Sequence, residues 1–290
     1  DESVAASLRS GVVGIIANPA SGKDIRRLVA HASTFDNNEK VNIVRRSLLG
    51  MDAVRVAQVW YLPDSYNIVV RAANGVPLAL ELCPLPMDVI GNASDSFEAA
   101  ARLAQLGAGA LLTLGGDGTN RSVVKGCGSI PLVAISTGTN NVFPCMVEGT
   151  LAGMAAGLVA IGAADEAVRQ VPRLDVSLDG VYQDLALVDV VTSPHQWIGA
   201  RAVWEPEHIR EIVLARIGHG EIGICSLGGI LFPEQAGQEV GAHIVIGPGG
   251  GKVRAPLAPG IIREVPIACN ALLVPGQSVA LQPGKGTIAL

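Results

Sequence analysis

Apolar runs and segments of helical period alternate along the first half of the chain. Residues 12–17 form an unbroken apolar run, the pattern of a strand buried on both faces. A loop at 18–22 follows, and residues 23–32 then place Ile25, Leu28, Val29 and Ala32 at helical spacing. Residues 56–62 read as a second strand, stopped by Pro63-Asp64, and residues 78–83 as a third, stopped by Pro84 and Pro86. Ser94-Asp95-Ser96 opens a helix, with Glu98 as the capping-box partner of Asp95 and with Phe97, Ala101 and Ala104 on one face. Residues 110–114 and 132–135 supply further strands, and residues 150–161 close this half as an apolar helix. Such alternation predicts a parallel sheet covered by helices on both faces. Ligands of these sheets bind beyond the carboxyl ends of the strands.

From about Val171 the texture changes. Short β-branched segments at 174–178, 185–191, 209–217, 222–227, 242–246, 253–255, 264–269 and 278–281 are punctuated by Gly and Pro. They predict an all-β second domain, a sandwich or a distorted barrel, which puts the domain boundary at 164/165. The last segment, 287–290, is strand-like, and further residues are expected beyond Leu290.

Composition narrows the partners. The net charge is −5 with no basic run, and aromatics are only 3% of residues, so nucleic acid and anionic membranes are excluded as partners. Residues 149–164 are uncharged but fall short of the ~20 apolar residues of a membrane span, and residues 126–147 are broken by Asn and Pro. The five cysteines have no Cys-x-x-Cys pair, and the five histidines no His-x-x-x-His pair. A reducing cytoplasm is therefore expected, with no metal held by protein side chains alone.

Three loops at predicted strand ends carry the candidate chemistry. The first is Asn18-Pro19-Ala20-Ser21-Gly22-Lys23-Asp24. It is not a Walker A loop, which needs Gly at 17 and Ser or Thr at 24, where Ala17 and Asp24 stand. The second is Gly115-Gly116-Asp117-Gly118-Thr119, whose glycines let backbone approach a ligand closely. Thr119 or Asn120 is positioned to cap the helix that follows. A glycine-rich turn at a helix N-terminus is an anion site, yet a central carboxylate implies a metal ion or a proton to move. The third loop is Ser136-Thr137-Gly138-Thr139-Asn140-Asn141.

In this order the loops resemble those of the superfamily containing NAD kinases, diacylglycerol kinases and sphingosine kinases. That pattern is an early Asn-Pro-x-x-Gly, then Gly-Gly-Asp-Gly-Thr, then a Gly-Thr-x-Asn type loop. Residues 18–24, 115–121 and 137–144, followed by Glu148, Thr150, Ala152 and Gly153, resemble the ATP-NAD kinase-like branch that includes acetoin catabolism protein X. The resemblance is good over residues 11–164 and looser beyond. It implies a Rossmann-like three-layer α/β domain at 1–164, then a sandwich-like β domain at 165–290 for acceptor binding and oligomerisation. It also implies ATP-dependent phosphoryl transfer to a hydroxyl of NAD or another small metabolite, with a link to acetoin catabolism. Asp117 would orient or deprotonate that hydroxyl. Gly115, Gly116, Gly118 and Thr119 would hold phosphates, and Asn18, Ser21, Gly22, Thr137, Gly138, Thr139, Asn140 and Asn141 would bound the nucleotide. Mg²⁺ would neutralise the phosphates through few protein ligands. A homodimer or larger assembly is implied.

The second domain departs from this pattern. Where NAD kinases carry an Asn-Glu pair for the acceptor, this chain has Val188 and Asp189, and Val188 cannot hydrogen-bond a ribose. Asp189 is either an acceptor contact or a strand residue facing water. The Thr-Pro-Thr-Gly-Ser loop of those kinases is missing from residues 221–229. Residues 247–252 read as a hairpin turn from which Lys252 could reach a phosphate, and His195 and Trp197 as either acceptor-pocket or ordinary surface and core residues. Two alternatives to a small-molecule kinase thus stand: a nucleotide-binding regulator without turnover, and a lipid kinase.

Overall fold

The computed structural model describes residues 11–22, 36–138, 140–194, 206–282 and 286–290. The helix expected at 23–32, and Thr139, His195 and Trp197, lie outside them. The described residues form two compact units, one extending to Arg169 and one over Gln170–Leu290.

The first unit is built on five parallel strands, β1 (Val12–Ala17), β2 (Gln58–Tyr61), β3 (Glu81–Pro84), β4 (Ala110–Gly115) and β5 (Leu132–Ser136), in the order β3-β2-β1-β4-β5. β1 and β4 are buried along their whole length, as their continuous apolar runs demand. Alternate residues of β1 serve opposite faces. Val13, Ile15 and Ala17 pack with Val44, Leu48 and Met51 of helix α1 (Asn37–Ala53), with Ile68 and Val69 of α2 (Ile68–Ala73), and with the helix at 149–160. Val12 and Ile16 pack with Ala99, Ala100 and Leu103 of α3 (Ala93–Gln105) and Val123 of α4 (Asp117–Gly126). Three layers result, as the sequence pattern predicts.

Helix ends differ from the expectation in two places. The cap of α3 is Asn92, whose side chain accepts from Ser94 N–H, while Asp95 reaches back to Asn92 N–H. Asp95 is thus the far partner of the capping box, and Glu98 instead pairs with Arg102 one turn on, at 2.7 Å. In α4 the capping position is Gly116, and neither Thr119 nor Asn120 caps it; both lie inside the helix.

The long uncharged stretch at 149–164 is explained by helix packing. Helix α5 (Gly149–Ala160) places Gly149, Gly153 and Gly157 on one stripe against α1. A Cβ on Gly153 would lie 2.0 Å from the Ser47 carbonyl oxygen, and one on Gly50 would lie 2.3 Å from the Thr150 carbonyl oxygen. The two helices meet backbone to backbone. Among the described residues no helix is long and apolar enough to cross a membrane.

The second unit holds a two-stranded ribbon, β6 (Leu174–Leu178) with β7 (Val181–Ala186), and an antiparallel sheet of six strands. The sheet comprises β8 (Asp189–Ser193), β9 (Glu211–Leu214), β10 (Gly241–Ile246), β11 (Lys252–Ala258), β12 (Ile261–Leu273) and β13 (Thr287–Ala289), in the order β11-β12-β10-β9-β8-β13. Three predicted strands change. The run 185–191 is split at Leu187-Val188, where the chain leaves the ribbon for the large sheet. Residues 222–227 are not a strand, because Gly223 takes φ +104° and the chain turns into helix α6 (Ser226–Leu231). Residues 278–281 form no strand. The 247–251 turn is no hairpin either: it joins β10 to β11 with β12 lying between them.

Candidate active site at the carboxyl ends of three adjacent strands

β1, β4 and β5 are neighbours in one parallel sheet, so the three predicted loops leave the same edge side by side. Hydrogen bonds knit them together. Asn18 N–H donates to Leu114 O at 3.0 Å, and its side-chain amide donates to Thr119 Oγ1 at 2.9 Å. Asn18 Oδ1 accepts from Ala20 N–H, which closes the first loop as a local turn. The Thr137 hydroxyl donates to Ser21 Oγ at 3.0 Å, and Thr137 N–H to Gly115 O at 3.3 Å. Gly22 is buried and takes φ +78°, the left-handed region that glycine adopts without strain.

The central turn is braced from beneath. Thr113 on β4 donates to Asn120 Oδ1 at 2.7 Å, and Asn120 Nδ2 donates to Gly116 O at 2.9 Å. Both side chains are fully buried. Two of the three glycines answer to neighbours: a Cβ on Gly115 would lie 2.5 Å from Thr119 Cβ, and one on Gly116 would lie 2.7 Å from Asn141 Oδ1. Gly118 does not. It is helical and exposed, and among the described residues nothing beyond its own helical turn lies within 4 Å of where its Cβ would be.

Asp117 is the first residue of α4 and half-buried. Its Oδ1 accepts from Phe143 N–H at 2.7 Å and from Val142 N–H at 3.1 Å. The carboxylate therefore ties the central turn to the segment after the third loop. That loop folds on itself: Ser136 Oγ donates to Gly138 O at 2.7 Å and accepts from Asn141 Nδ2 at 2.8 Å. Asn140 is half-buried beside it. Side-chain capping is absent at the N-terminus of α4, and the first-turn amides of a helix have no intrahelical acceptor. The helix dipole adds partial positive charge there.

Two groups of this neighbourhood carry no motif signal. Lys40 of α1 is fully buried, and its Nζ donates to the carbonyls of Ser21 (2.6 Å), Asn18 (2.8 Å) and Pro19 (3.2 Å). Asp64, after β2, accepts from Tyr66 and Ile68 amides. Burial pushes its carboxyl above the usual range, against the pull of those amides and of the Lys40 charge. The partners of Lys40 are set by the fold and do not follow from spacing, whereas those of Asp64 are local, two and four residues on. Asn120 adjoins the Gly-rich motif and could have been found from it.

Asp189 belongs to the second unit. It opens β8, half-buried opposite Leu214. Lys252, on β11, is exposed and lies 3.5 Å from Glu264. Among the described residues no three His, Cys, Asp or Glu side chains group to hold a metal. The hydroxyls, amides and the Asp117 carboxylate at this edge suit Mg²⁺ carried on a nucleotide's phosphates, not one caged by protein.

A parallel α/β unit with Gly-Gly-Asp-Gly-Thr at a helix N-terminus, followed by an antiparallel β unit, defines a kinase-like protein of the NAD kinase fold class. The chain matches the ATP-NAD kinase N-terminal domain over residues 13–162 and the acetoin catabolism protein X C-terminal domain over residues 172–290. It is 37% identical over 298 residues to Acetoin catabolism protein X of Cupriavidus necator, a match covering 96% of this chain and 82% of that protein. The chain belongs to the acetoin catabolism protein X family.

Proposed function

We propose that this protein is an ATP-dependent phosphotransferase that phosphorylates a hydroxyl of a small metabolite or nucleotide within acetoin catabolism. The observation that carries this reading is Gly118. A glycine in an exposed first helical turn gives up stability, and among the described residues nothing beyond its own helical turn lies within 4 Å of where its Cβ would be, which leaves room over it for a ligand. The uncapped N-terminus of α4 gives that ligand its charge: it is a phosphate.

In this reading the amides around Gly115, Gly116, Gly118 and Thr119 hold phosphates. Asn18, Ser21 and Gly22 bound the nucleotide on one side, and Thr137, Gly138, Thr139, Asn140 and Asn141 on the other. Mg²⁺ on the phosphates supplies charge neutralisation. Positioning accounts for most of the rate in such transfers. Asp117 orients the acceptor hydroxyl after releasing the Val142 and Phe143 amides. Asp189 is an acceptor contact of the second domain, which also serves dimerisation. A reducing cytoplasm fits a chain whose described residues show no disulfide.

A second reading is a nucleotide-binding regulator without turnover. It is favoured by the engaged Asp117 carboxylate and by Val188 in place of a hydrogen-bonding residue. The test is ADP release from ATP and Mg²⁺ by the full chain, with acceptors including NAD and acetoin. The kinase reading expects acceptor-dependent release that falls roughly 10²-fold or more in Asp117→Asn. A nucleotide-induced rise in melting temperature without release supports the regulator. Neither signal refutes both.

A further inference from the structure

We infer that Lys40 is the positioning residue of the nucleotide loop, a tethered cation that turns the loop's carbonyls inward and leaves its opposite edge for phosphate. The inference rests on the nucleotide reading of residues 18–22.

A lysine with no exposed surface is costly to bury unless its ammonium is fully engaged. Here three carbonyls within four residues converge on one nitrogen, at 2.6, 2.8 and 3.2 Å. An ammonium has three N–H donors, enough for one to each of these carbonyls. Three carbonyl dipoles pointing at a common spot repel one another without a cation between them. A methionine or leucine at position 40 would fill the same volume and leave that spot uncompensated.

The consequence reaches the ligand side through peptide geometry. In a trans peptide the carbonyl and the following N–H point opposite ways. With the Ser21 carbonyl held on Lys40, the Gly22 N–H points away from the ammonium, toward the opposite edge of the loop. The Ala20 N–H is already taken by Asn18 Oδ1, so Gly22 is the amide this arrangement offers. Lys40 also anchors the other two loops at one remove. Asn18, held by its carbonyl, donates to Thr119 in the first turn of α4, and Ser21, held likewise, accepts from Thr137 in the third loop. One ammonium therefore fixes the register of three loops. Arginine cannot replace it: a planar guanidinium is larger and spreads its donors in a fork.

The test is ATP affinity by calorimetry on the full chain, in wild type, Lys40→Met and Lys40→Ala. The alanine variant is also measured with n-propylammonium chloride, against sodium chloride at equal ionic strength. Both variants should bind ATP about tenfold more weakly or worse, and the amine, which restores the ammonium in the vacated space, should recover affinity in Lys40→Ala but not in Lys40→Met. Hydrogen exchange at residues 20–22 should accelerate in both variants and slow again with the amine in the alanine variant. Should Lys40→Met fail to fold, Lys40→Ala prepared with the amine carries the comparison. Wild-type affinity in Lys40→Met overturns the role of Lys40, as does an amine that restores melting temperature without affinity. A wild-type chain that binds no ATP overturns instead the nucleotide reading on which the inference rests.

Discussion

Gly118→Ala separates stability from ligand binding at a single methyl group. Gly118 is helical, so alanine adopts its backbone without strain, and among the described residues the new Cβ meets nothing beyond its own helical turn within 4 Å. Replacing a helical glycine by alanine gains about 0.5–1 kcal/mol, mostly by restricting the unfolded chain. For a unit of this size each kcal/mol moves the melting temperature by about 2–4 °C, so the variant should melt roughly 1–4 °C higher. The effect on nucleotide is opposite. Cα–Cβ bonds of a helix tilt toward its N-terminus, so the methyl projects toward an anion seated on the first-turn amides. A phosphate packed directly against the Gly118 Cα would be crowded by that methyl. We expect ATP to bind about tenfold more weakly, about 1.4 kcal/mol. Thermal melts without nucleotide and calorimetric ATP titrations measure the two halves independently. A higher melting temperature with unchanged ATP affinity refutes the placement of phosphate over Gly118. A lower melting temperature refutes the claim that no protein atom requires glycine there.

Two further substitutions probe the scaffold. Gly153→Ala places a methyl 2.0 Å from the Ser47 carbonyl oxygen, a backbone atom that cannot swing aside. Overpacking of this kind costs about 1–3 kcal/mol or more and outweighs the gain of about 1 kcal/mol in helix propensity, so a melting temperature at or above wild type would show that α1 and α5 separate freely. Asp64→Asn tests the raised carboxyl. A folded-state value above the unfolded one, near 3.8, means the folded protein binds the proton more readily, so wild type should gain stability relative to the variant as pH falls through the raised value toward 3.8. Melts across that range should show the difference between the two proteins growing on acidification, and a flat difference contradicts burial as the dominant influence on Asp64.

The outcome of reading this chain by pattern depended on which interactions have a period. β1, β4 and β5 are continuous apolar runs next to glycine-rich loops, and both run and loop are local signals. Helix α1 is different. Its apolar stripe of Val41, Val44, Leu48 and Met51 is interrupted on the same buried side by Asn37, Lys40, Ser47 and Gly50, which blurs the pattern. Lys40 serves loop carbonyls, and Gly50 admits the backbone of α5. Residues 222–227 erred the other way, since Ile222 and Ile224 alternate like a strand while Gly223 bends the chain into a turn.

The same distinction explains what could be read of the candidate site. Glycine, asparagine and threonine in three loops announce backbone approach and hydrogen bonding, because those residues do so through their own main chain. Which partner each one takes is a tertiary matter. Asp117 was legible as the unusual carboxylate of a phosphate turn, but not as the acceptor of the Val142 and Phe143 amides. That pair of bonds bears on mechanism. A carboxylate holding two main-chain donors is oriented by them, and the lone pairs they use are not open to an acceptor hydroxyl. If Asp117 acts on an acceptor, the segment at 142–143 must yield those amides when the acceptor arrives. The acceptor's own contacts would then have to offset the two lost hydrogen bonds, each worth about 1.5–3 kcal/mol to a charged group. An acceptor too small to supply them would leave the carboxylate latched and the nucleotide untouched. Discrimination among hydroxyl acceptors would in that case begin at the Asp117 latch, before any contact in the second domain.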